Sequence, residues 1–335
     1  MASSSKQLRG GIDLGGTKIE AIIVDGEHNV RGQARRATPT EGGPEAVARE
    51  IAGALEDAAK LASIEASTLS GVGVGTPGAV DDQKGTVTAA SNLPGCQGVV
   101  PLAQLVSSAT SLPVRLGNDV GVALDAEARL GAGREFASFI GVFWGTGIGG
   151  GVILHGKRWL GRGAAGELGH MVVKMDGALC PCGRRGCVEA YAGRRALEER
   201  ARKEHADGRK TKLVKLMEKK GVDRMTSSVW ARALEHDDEV AHELIDRAIE
   251  ALANGIASTV NLLDVEGVVI GGGLGTRLGN EYAERIRAAM KPHLFVADRE
   301  PVVKIAELGD LSGALGASLL VLDPPPAIAI DRAER

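Results

Sequence analysis

Three of the chain's four cysteines fall within eight residues, in GHMVVKMDGALCPCGRRGCVEA (169–190), and His170 stands just upstream. Such a segment has to fold as a disulfide-bonded loop or as a metal knuckle. Cys180, Cys182 and Cys187 could pair with one another or with Cys96, but disulfide staples serve small secreted domains that lack a core. With 335 residues, 44% of them hydrophobic, this chain can bury a core without them. Its opening, MASSSKQLRG, has no apolar run of the kind a secretory signal carries, so a cytoplasmic location is expected. Clustered thiols in that setting favour a metal. His170, Cys180, Cys182 and Cys187 supply the four soft ligands of a closed tetrahedral zinc site, with Gly183 and Gly186 turning the backbone around the ion. Three ordinary cysteines in a loop explain the spacing poorly, because a C-P-C-x4-C segment is a poor way to build a core.

A net charge of -3 and a pI near 6.2 leave no basic footprint for nucleic acid. The most apolar window, SFIGVFWGTGIGGGVIL (138–154), holds six glycines and reads as two buried strands around a turn, so no membrane association is expected. The 47 glycines cluster beside apolar strands, where backbone can approach a ligand closely.

Along the chain, LRGGIDLGGTKIEAIIVDGEHNVRGQARRAT reads as three antiparallel strands joined by tight turns. Apolar residues at helical spacing follow from Pro44 to Ala62. SGVGVGTPG is a buried strand entering a loop, and LPVRLGND is a strand running into the helix VGVALDAEARL. From Phe136 the same grammar restarts with FASFIGVFWGTG and GGVILHGKRW, which suggests a duplicated plan. Residues 198–247 are densely charged and read as solvated helices, and the tail DPPPAIAIDRAER is proline-led.

Three glycine-rich loops are candidates for phosphate. In DLGGTK, Gly15 and Gly16 would let backbone N–H groups approach a phosphate, Thr17 adds a hydroxyl and Lys18 a charge if it points that way; a plain hairpin turn is the even alternative. Gly145, Gly147 and Gly150 match a dinucleotide fingerprint, but strand-forming VILHGKRW follows where a helix is required. Gly151 to Lys157 nearly spell a Walker A loop, yet Arg158 stands where Ser or Thr must bind magnesium. The turn Gly145-Thr146-Gly147 can still cradle a phosphate. Gly271, Gly272 and Gly273 end a strand before the helix RLGNEYAERIRAAM and could receive the adenosine end of a nucleotide.

DLGGTK, GTPG, SNLPG, LGND, GTGIGGG, GELGH, the C-P-C-G-x2-G-C-x-E knuckle and IGGGLG occur in this order from residue 13 to residue 275. In that combination the chain resembles the ROK family of sugar kinases and sugar-responsive repressors, most closely its bacterial ATP-dependent glucokinases. The resemblance implies an α/β chain of two ribonuclease H-like domains, of the actin and hexokinase superfamily, around a cleft. It implies a small domain of residues 1–119 with a returning helix at 311–323, a large domain of 120–310 carrying the knuckle, and a flexible tail of 324–335. Zinc on His170, Cys180, Cys182 and Cys187 is implied as well. Sugar hydroxyls would be held by Glu167, His170 and Glu189, with Gly78, Asn92 and Asn118 completing the pocket, and Asp119 matches the family's catalytic base. The phosphate loops match Gly15, Gly16, Thr17, Lys18, Gly145, Thr146 and Gly147, and Gly272 and Gly273 complete the nucleotide site for ATP with Mg²⁺.

The residue chemistry agrees. Discriminating among hydroxyls needs buried carboxylates and amides, which Glu167, Glu189, Asn118 and Asp119 supply. His170 could hold zinc through one ring nitrogen and the sugar through the other. Asp119 could also be a plain helix N-cap. Two departures stand out: Cys96 replaces a tryptophan common in family glucokinases, which could alter the pocket rim, and the charged stretch 203–225 is longer than usual. A sugar-sensing repressor would carry a helix-turn-helix domain before the first strand, and only twelve residues precede Asp13. The expected activity is phosphorylation of the 6-hydroxyl of glucose, with an N-acetylhexosamine, mannose or fructose kinase as the alternative. The family's habit suggests a homodimer or homotetramer.

Overall fold

The computed structural model describes residues 7–90, 93–96 and 98–322. Asn92 and the tail 324–335 therefore lie outside the described residues, as does the last residue of the helix expected at 311–323. The chain divides into two compact units, Met1–Ala126 with Asp310–Arg335, and Glu127–Gly309.

In the first unit, β1 (Arg9–Leu14), β2 (Lys18–Val24) and β3 (Val30–Ala37) form the antiparallel meander expected from their apolar runs and tight turns. Helix α1 (Gly43–Leu61) has Pro44 at its start, where the fixed φ suits a first helical turn, and buries Val47, Ile51 and Leu55 at helical spacing. Then come β4 (Val72–Thr76), a small hairpin of β5 (Ala79–Asp81) and β6 (Thr86–Thr88), α2 (Leu102–Thr110), β7 (Val114–Asn118) and α3 (Asp119–Leu130). Strands β4 and β7 run parallel to β1, giving the order β3-β2-β1-β4-β7.

The second unit repeats this plan. A meander of β8 (Phe139–Trp144), β9 (Ile148–Leu154) and β10 (Lys157–Arg158) precedes helices α4 (Glu189–Ala192), α5 (Arg194–Ala206), α6 (Lys212–Lys219), α7 (Ser227–Glu235) and α8 (Glu239–Leu263). Strand β11 (Gly267–Gly271), helix α9 (Gly272–Met290) and strand β12 (Val302–Ile305) complete it. Its sheet order is β10-β9-β8-β11-β12, with β11 parallel to β8 and to β12. The two sheets thus share one topology, which is the internal repetition suggested by the restarting sequence grammar.

Helix α10 (Ser312–Leu319) belongs to the first unit and lies on β1 and β4. Glycines make the approach possible: a Cβ on Gly11 would sit 2.1 Å from the Ala314 carbonyl oxygen, and one on Gly73 would sit 1.7 Å from that of Ala317. The strands are consequently buried on both faces, as parallel strands require.

The charged region is helical as expected, but its helices are not merely solvated. Leu197, Ala201, Leu213, Met217, Val229 and Trp230 turn inward to the core of the second unit. The segment α9 starts at Gly272, directly after β11, ahead of the expected RLGNEYAERIRAAM helix, and is two helical pieces rather than one, broken within that expected helix at Gly279 (φ 73), a left-handed conformation that glycine adopts. Gly272 enters it at φ 78, a left-handed conformation open to glycine, and breaks the chain's direction against Trp144. No helix among the described residues is long and apolar enough to cross a membrane.

Candidate active site

In the first unit the carboxyl ends of the parallel strands gather polar groups, the usual place for ligands in an open α/β sheet. Asp13, near the end of β1, is paired with Gly75 of β4 and Glu20 of β2. After it, the Gly15 N–H donates to the Lys18 carbonyl at 2.9 Å, and the Thr38 hydroxyl donates to the Gly15 carbonyl at 2.6 Å. The DLGGTK loop is therefore a hairpin turn, pinned at its base, with Gly16 and Thr17 exposed at its tip. Lys18 reaches back toward buried Glu20, at 3.7 Å, whose carboxylate is also held by Arg35 and Gln33.

Gly78, Asn118 and Asp119 form one hydrogen-bonded chain. The Asn118 side-chain amide donates to the Gly78 carbonyl at 3.3 Å and to Asp119 Oδ1 at 3.0 Å, and Gly78 has φ 94. Asn118 Oδ1 accepts the Gly121 N–H at 3.0 Å, so Asn118, and not Asp119, caps α3. The cap falls one residue earlier because β7 ends at Asn118 and Asp119 is already helical. Asp119 Oδ1 also accepts the Val120 N–H at 2.9 Å. Burial raises the Asp119 carboxyl above its ordinary range, with the bonds from Val120 and Asn118 pulling the other way. Asp13 is pushed up to about 6, by burial first and by Asp119 second, with Lys18 opposing.

In the second unit GELGH crosses β9 so closely that a Cβ on Gly169 would sit 2.1 Å from the Ile148 carbonyl oxygen. Leu168 enters the core, Glu167, expected among the buried carboxylates, is instead exposed because it lies at the surface end of the segment ahead of Leu168, and His170 points one ring nitrogen each way. Nδ1 lies 3.7 Å from Cys180 Sγ, and Nε2 lies 4.0 Å from the Glu167 carboxylate. Cys182 and Cys187 Sγ are 3.8 Å apart, and one ligand atom from each of His170, Cys180, Cys182 and Cys187 lies within 4.8 Å of the others. Tetrahedral zinc with bonds near 2.3 Å to sulfur and 2.0 to 2.1 Å to nitrogen would set these separations at about 3.8 Å and 3.6 Å. The donor set fits a closed zinc site. No disulfide forms among the four cysteines. Gly186, at φ 81, could not carry a side chain, since a Cβ would meet the Lys174 carbonyl oxygen at 1.7 Å.

The knuckle leads directly into Glu189, whose Oε2 accepts the Ile148 N–H at 2.8 Å in the β8–β9 hairpin. Gly145, Thr146 and Gly147 form that hairpin's turn. Gly272 lies beside it, since a Cβ there would be 2.6 Å from the Trp144 carbonyl oxygen. Two of the three glycine loops are thereby brought together at the ends of neighbouring parallel strands β8 and β11.

Cys96 is not at a rim. It is 1% exposed in the core of the first unit, where its thiol donates to the Pro94 carbonyl and burial raises its pKa. Two residues escaped the sequence reading. Asp13 was signalled only by its place at a strand end before a glycine loop. Arg194 had no signal: its guanidinium donates to Thr146 Oγ1 at 2.8 Å, across 48 residues.

The sequence pattern of the ROK family matches residues 9–324. A glucokinase of Streptomyces coelicolor is 35% identical over 94% of this chain and 98% of its own. An N-acetylgalactosamine kinase of Shewanella sp. is 31% identical over 92% of this chain and 95% of its own. Among solved structures, a ROK family glucokinase from Streptomyces griseus in complex with glucose and AMPPNP aligns with a TM-score of 0.80 at 32% identity, over 93% of this chain and 98% of that one.

Proposed function

The chain belongs to the ROK family and is a sugar kinase of actin/hexokinase-type fold, and on that premise we propose that it transfers the γ-phosphoryl group of ATP to the 6-hydroxyl of glucose. The observation that carries the chemistry is the fixed Asp119 carboxylate. Asn118 and Val120 hold Oδ1, which leaves Oδ2 to take the proton of the attacking hydroxyl. As that proton leaves, the sugar oxygen bonds to the γ-phosphorus and the bond to the β–γ bridging oxygen breaks, releasing ADP. The raised carboxyl makes Asp119 a better proton acceptor than an ordinary aspartate.

Glu167, His170, Glu189, Asn118, Asn92 and the Gly78 loop hold the sugar hydroxyls. His170 Nδ1, Cys180, Cys182 and Cys187 would hold zinc, which would supply a structural brace: the His170 ring would be fixed with Nε2 free for the sugar, and the segment leading to Glu189 would be held. ATP enters as its magnesium complex. In the second unit Gly145, Thr146, Gly147, Gly272 and Gly273 would receive the nucleotide; in the first, Gly15, Gly16, Thr17 and Lys18 are the other loop assigned to phosphate, and the Asp13 carboxylate beside them would be available to the accompanying cation.

Glucose is favoured by the Streptomyces glucokinase likeness, and an N-acetylhexosamine by the 31% likeness to the Shewanella enzyme. A panel of glucose, mannose, fructose and the N-acetylhexosamines, each with ATP and with polyphosphate, decides between them. The expected result is the highest kcat/KM for glucose with ATP. A higher value for an acetylated sugar would reassign the substrate, and absence of any transfer would favour a sugar-sensing protein. A homodimer or larger assembly in the cytoplasm belongs to the same reading, with a mass by light scattering above 34.7 kDa.

A further inference from the structure

Arg194 opens helix α5 beside the Gly145–Thr146–Gly147 turn. Its backbone N–H donates to the Gly145 carbonyl at 3.1 Å and that of Arg195 donates to the Thr146 carbonyl at 3.0 Å, so these first amides of the helix are spent on the turn itself. The guanidinium spans the turn and the entry to α7: Nη2 donates to Thr146 Oγ1 at 2.8 Å, and Nη1 donates to the Met225 carbonyl at 3.0 Å. Its Nε is buried with no hydrogen-bond partner. The carboxylate nearest in sequence, Glu198, is committed elsewhere, to Arg202, Arg224 and the Met225 N–H. Among the described residues Arg194 makes no ion pair within bonding distance; Glu198 attracts it only through space, against repulsion from Arg224, and a half-buried guanidinium so weakly compensated is an unfavourable thing for a fold to keep.

Thr146 gives that arrangement a purpose. A threonine hydroxyl has one proton to donate and lone pairs to accept with. The guanidinium occupies the accepting side, which turns the O–H proton away from Arg194, and a hydroxyl that accepts from a cation is a more polarised donor. From the guanidinium's buried, unpartnered Nε and its bond to Thr146, we propose that Arg194 is a positioning residue for the nucleotide. It aims the Thr146 hydroxyl at a phosphate oxygen of ATP and supplies positive charge to the polyphosphate. Burial lowers the Arg194 pKa from its ordinary value, but an arginine side chain remains charged at neutral pH.

The inference rests on reading the Gly145–Gly147 turn as a nucleotide loop, and the test separates the two. Arg194→Met, Arg194→Lys, Thr146→Val and the double variant Arg194→Met with Thr146→Val are compared for calorimetric binding of a non-hydrolysable ATP analogue, for sugar binding and for the KM of each substrate. Arg194→Met is expected to weaken nucleotide binding and raise the ATP KM by about tenfold or more, the usual cost of a lost charge-assisted hydrogen bond. Sugar affinity stays close to wild type. Thr146→Val should lose a similar factor, and the double variant little more than either single, because the two act as one unit. Arg194→Lys should recover part of the loss, through charge without the forked geometry, and it carries the test if Arg194→Met fails to fold. If Thr146→Val weakens nucleotide binding and the Arg194 variants do not, the inference falls while the loop reading stands. If neither residue matters to nucleotide binding, the loop reading falls with it. Equal loss of sugar and nucleotide binding in both Arg194 variants would make the residue a structural brace and overturn the proposal.

Discussion

The carboxylate of Glu189 accepts the backbone N–H of Ile148 at 2.8 Å, joining the end of the cysteine knuckle to the first residue of β9. The bond is crowded as well as short, since a Cβ on Gly147 would sit 2.3 Å from the same oxygen. A side chain assigned to the sugar is therefore physically part of the turn assigned to the phosphate. Glu189→Gln keeps an acceptor for Ile148 but removes the charge, and should weaken sugar binding by about tenfold with little change in the ATP KM. Glu189→Ala leaves the Ile148 N–H without that partner, and should raise the ATP KM as well. Sugar titration by calorimetry beside the two KM values checks both.

The knuckle makes a prediction that needs no activity assay. Elemental analysis should find one zinc per chain, and Cys182→Ser should lose the metal and most of the sugar affinity. The second loss would follow from the proposed sharing of His170 by both sites and from the short Cys187-to-Glu189 link to a proposed sugar ligand. Wild-type protein stripped of metal that still binds sugar normally would contradict the structural role.

Asp13 should trade stability for function. Its carboxyl is raised from 3.8 to about 6, so the folded protein binds that proton more tightly than the unfolded chain does. Through the window between those two values the native state carries more protons, and stability falls as pH rises. Above it the whole cost is present, roughly 3 kcal/mol at most. Asp13→Asn should accordingly raise the Tm at pH 8, with the advantage closing as pH falls toward 4, while turnover drops if, as proposed, the carboxylate serves the nucleotide's cation. Thermal melts across that pH range, with turnover at pH 8, provide the check.

Much of this was legible in the sequence because the signals are local. Apolar runs punctuated by glycine gave the meanders of both sheets, and the spacing of His170, Cys180, Cys182 and Cys187 was enough to expect the cluster that the structure assembles. What escaped depended on contacts distant in the chain. Asp13 acquires its raised pKa from burial and from Asp119, and Arg194 acquires its meaning from Thr146. The start of α9 was hidden because three successive glycines read as a loop, whereas the helical segment follows at once on the left-handed Gly272. The cap of α3 slipped by one residue because Asn and Asp cap about equally well, and only the end of β7 decides between Asn118 and Asp119.

The account turns on Asp119. Asp119→Asn keeps the side chain's size, and because Asn118 is the cap, helix α3 keeps its N-terminal bond to Gly121. Any large loss of turnover in the folded variant is then chemical. The decisive measurement is saturating turnover of Asp119→Asn with glucose and ATP, with sugar affinity determined calorimetrically on the same protein. The account predicts a fall of roughly 10²-fold or more in turnover, the usual range for a positioned general base, with sugar binding weakened by no more than about 1 to 3 kcal/mol. In the wild type, the acid limb of turnover should lie above the ordinary carboxylate range, since burial raises Asp119. A folded Asp119→Asn protein that phosphorylates glucose at near wild-type turnover would show that Asp119 is not the base.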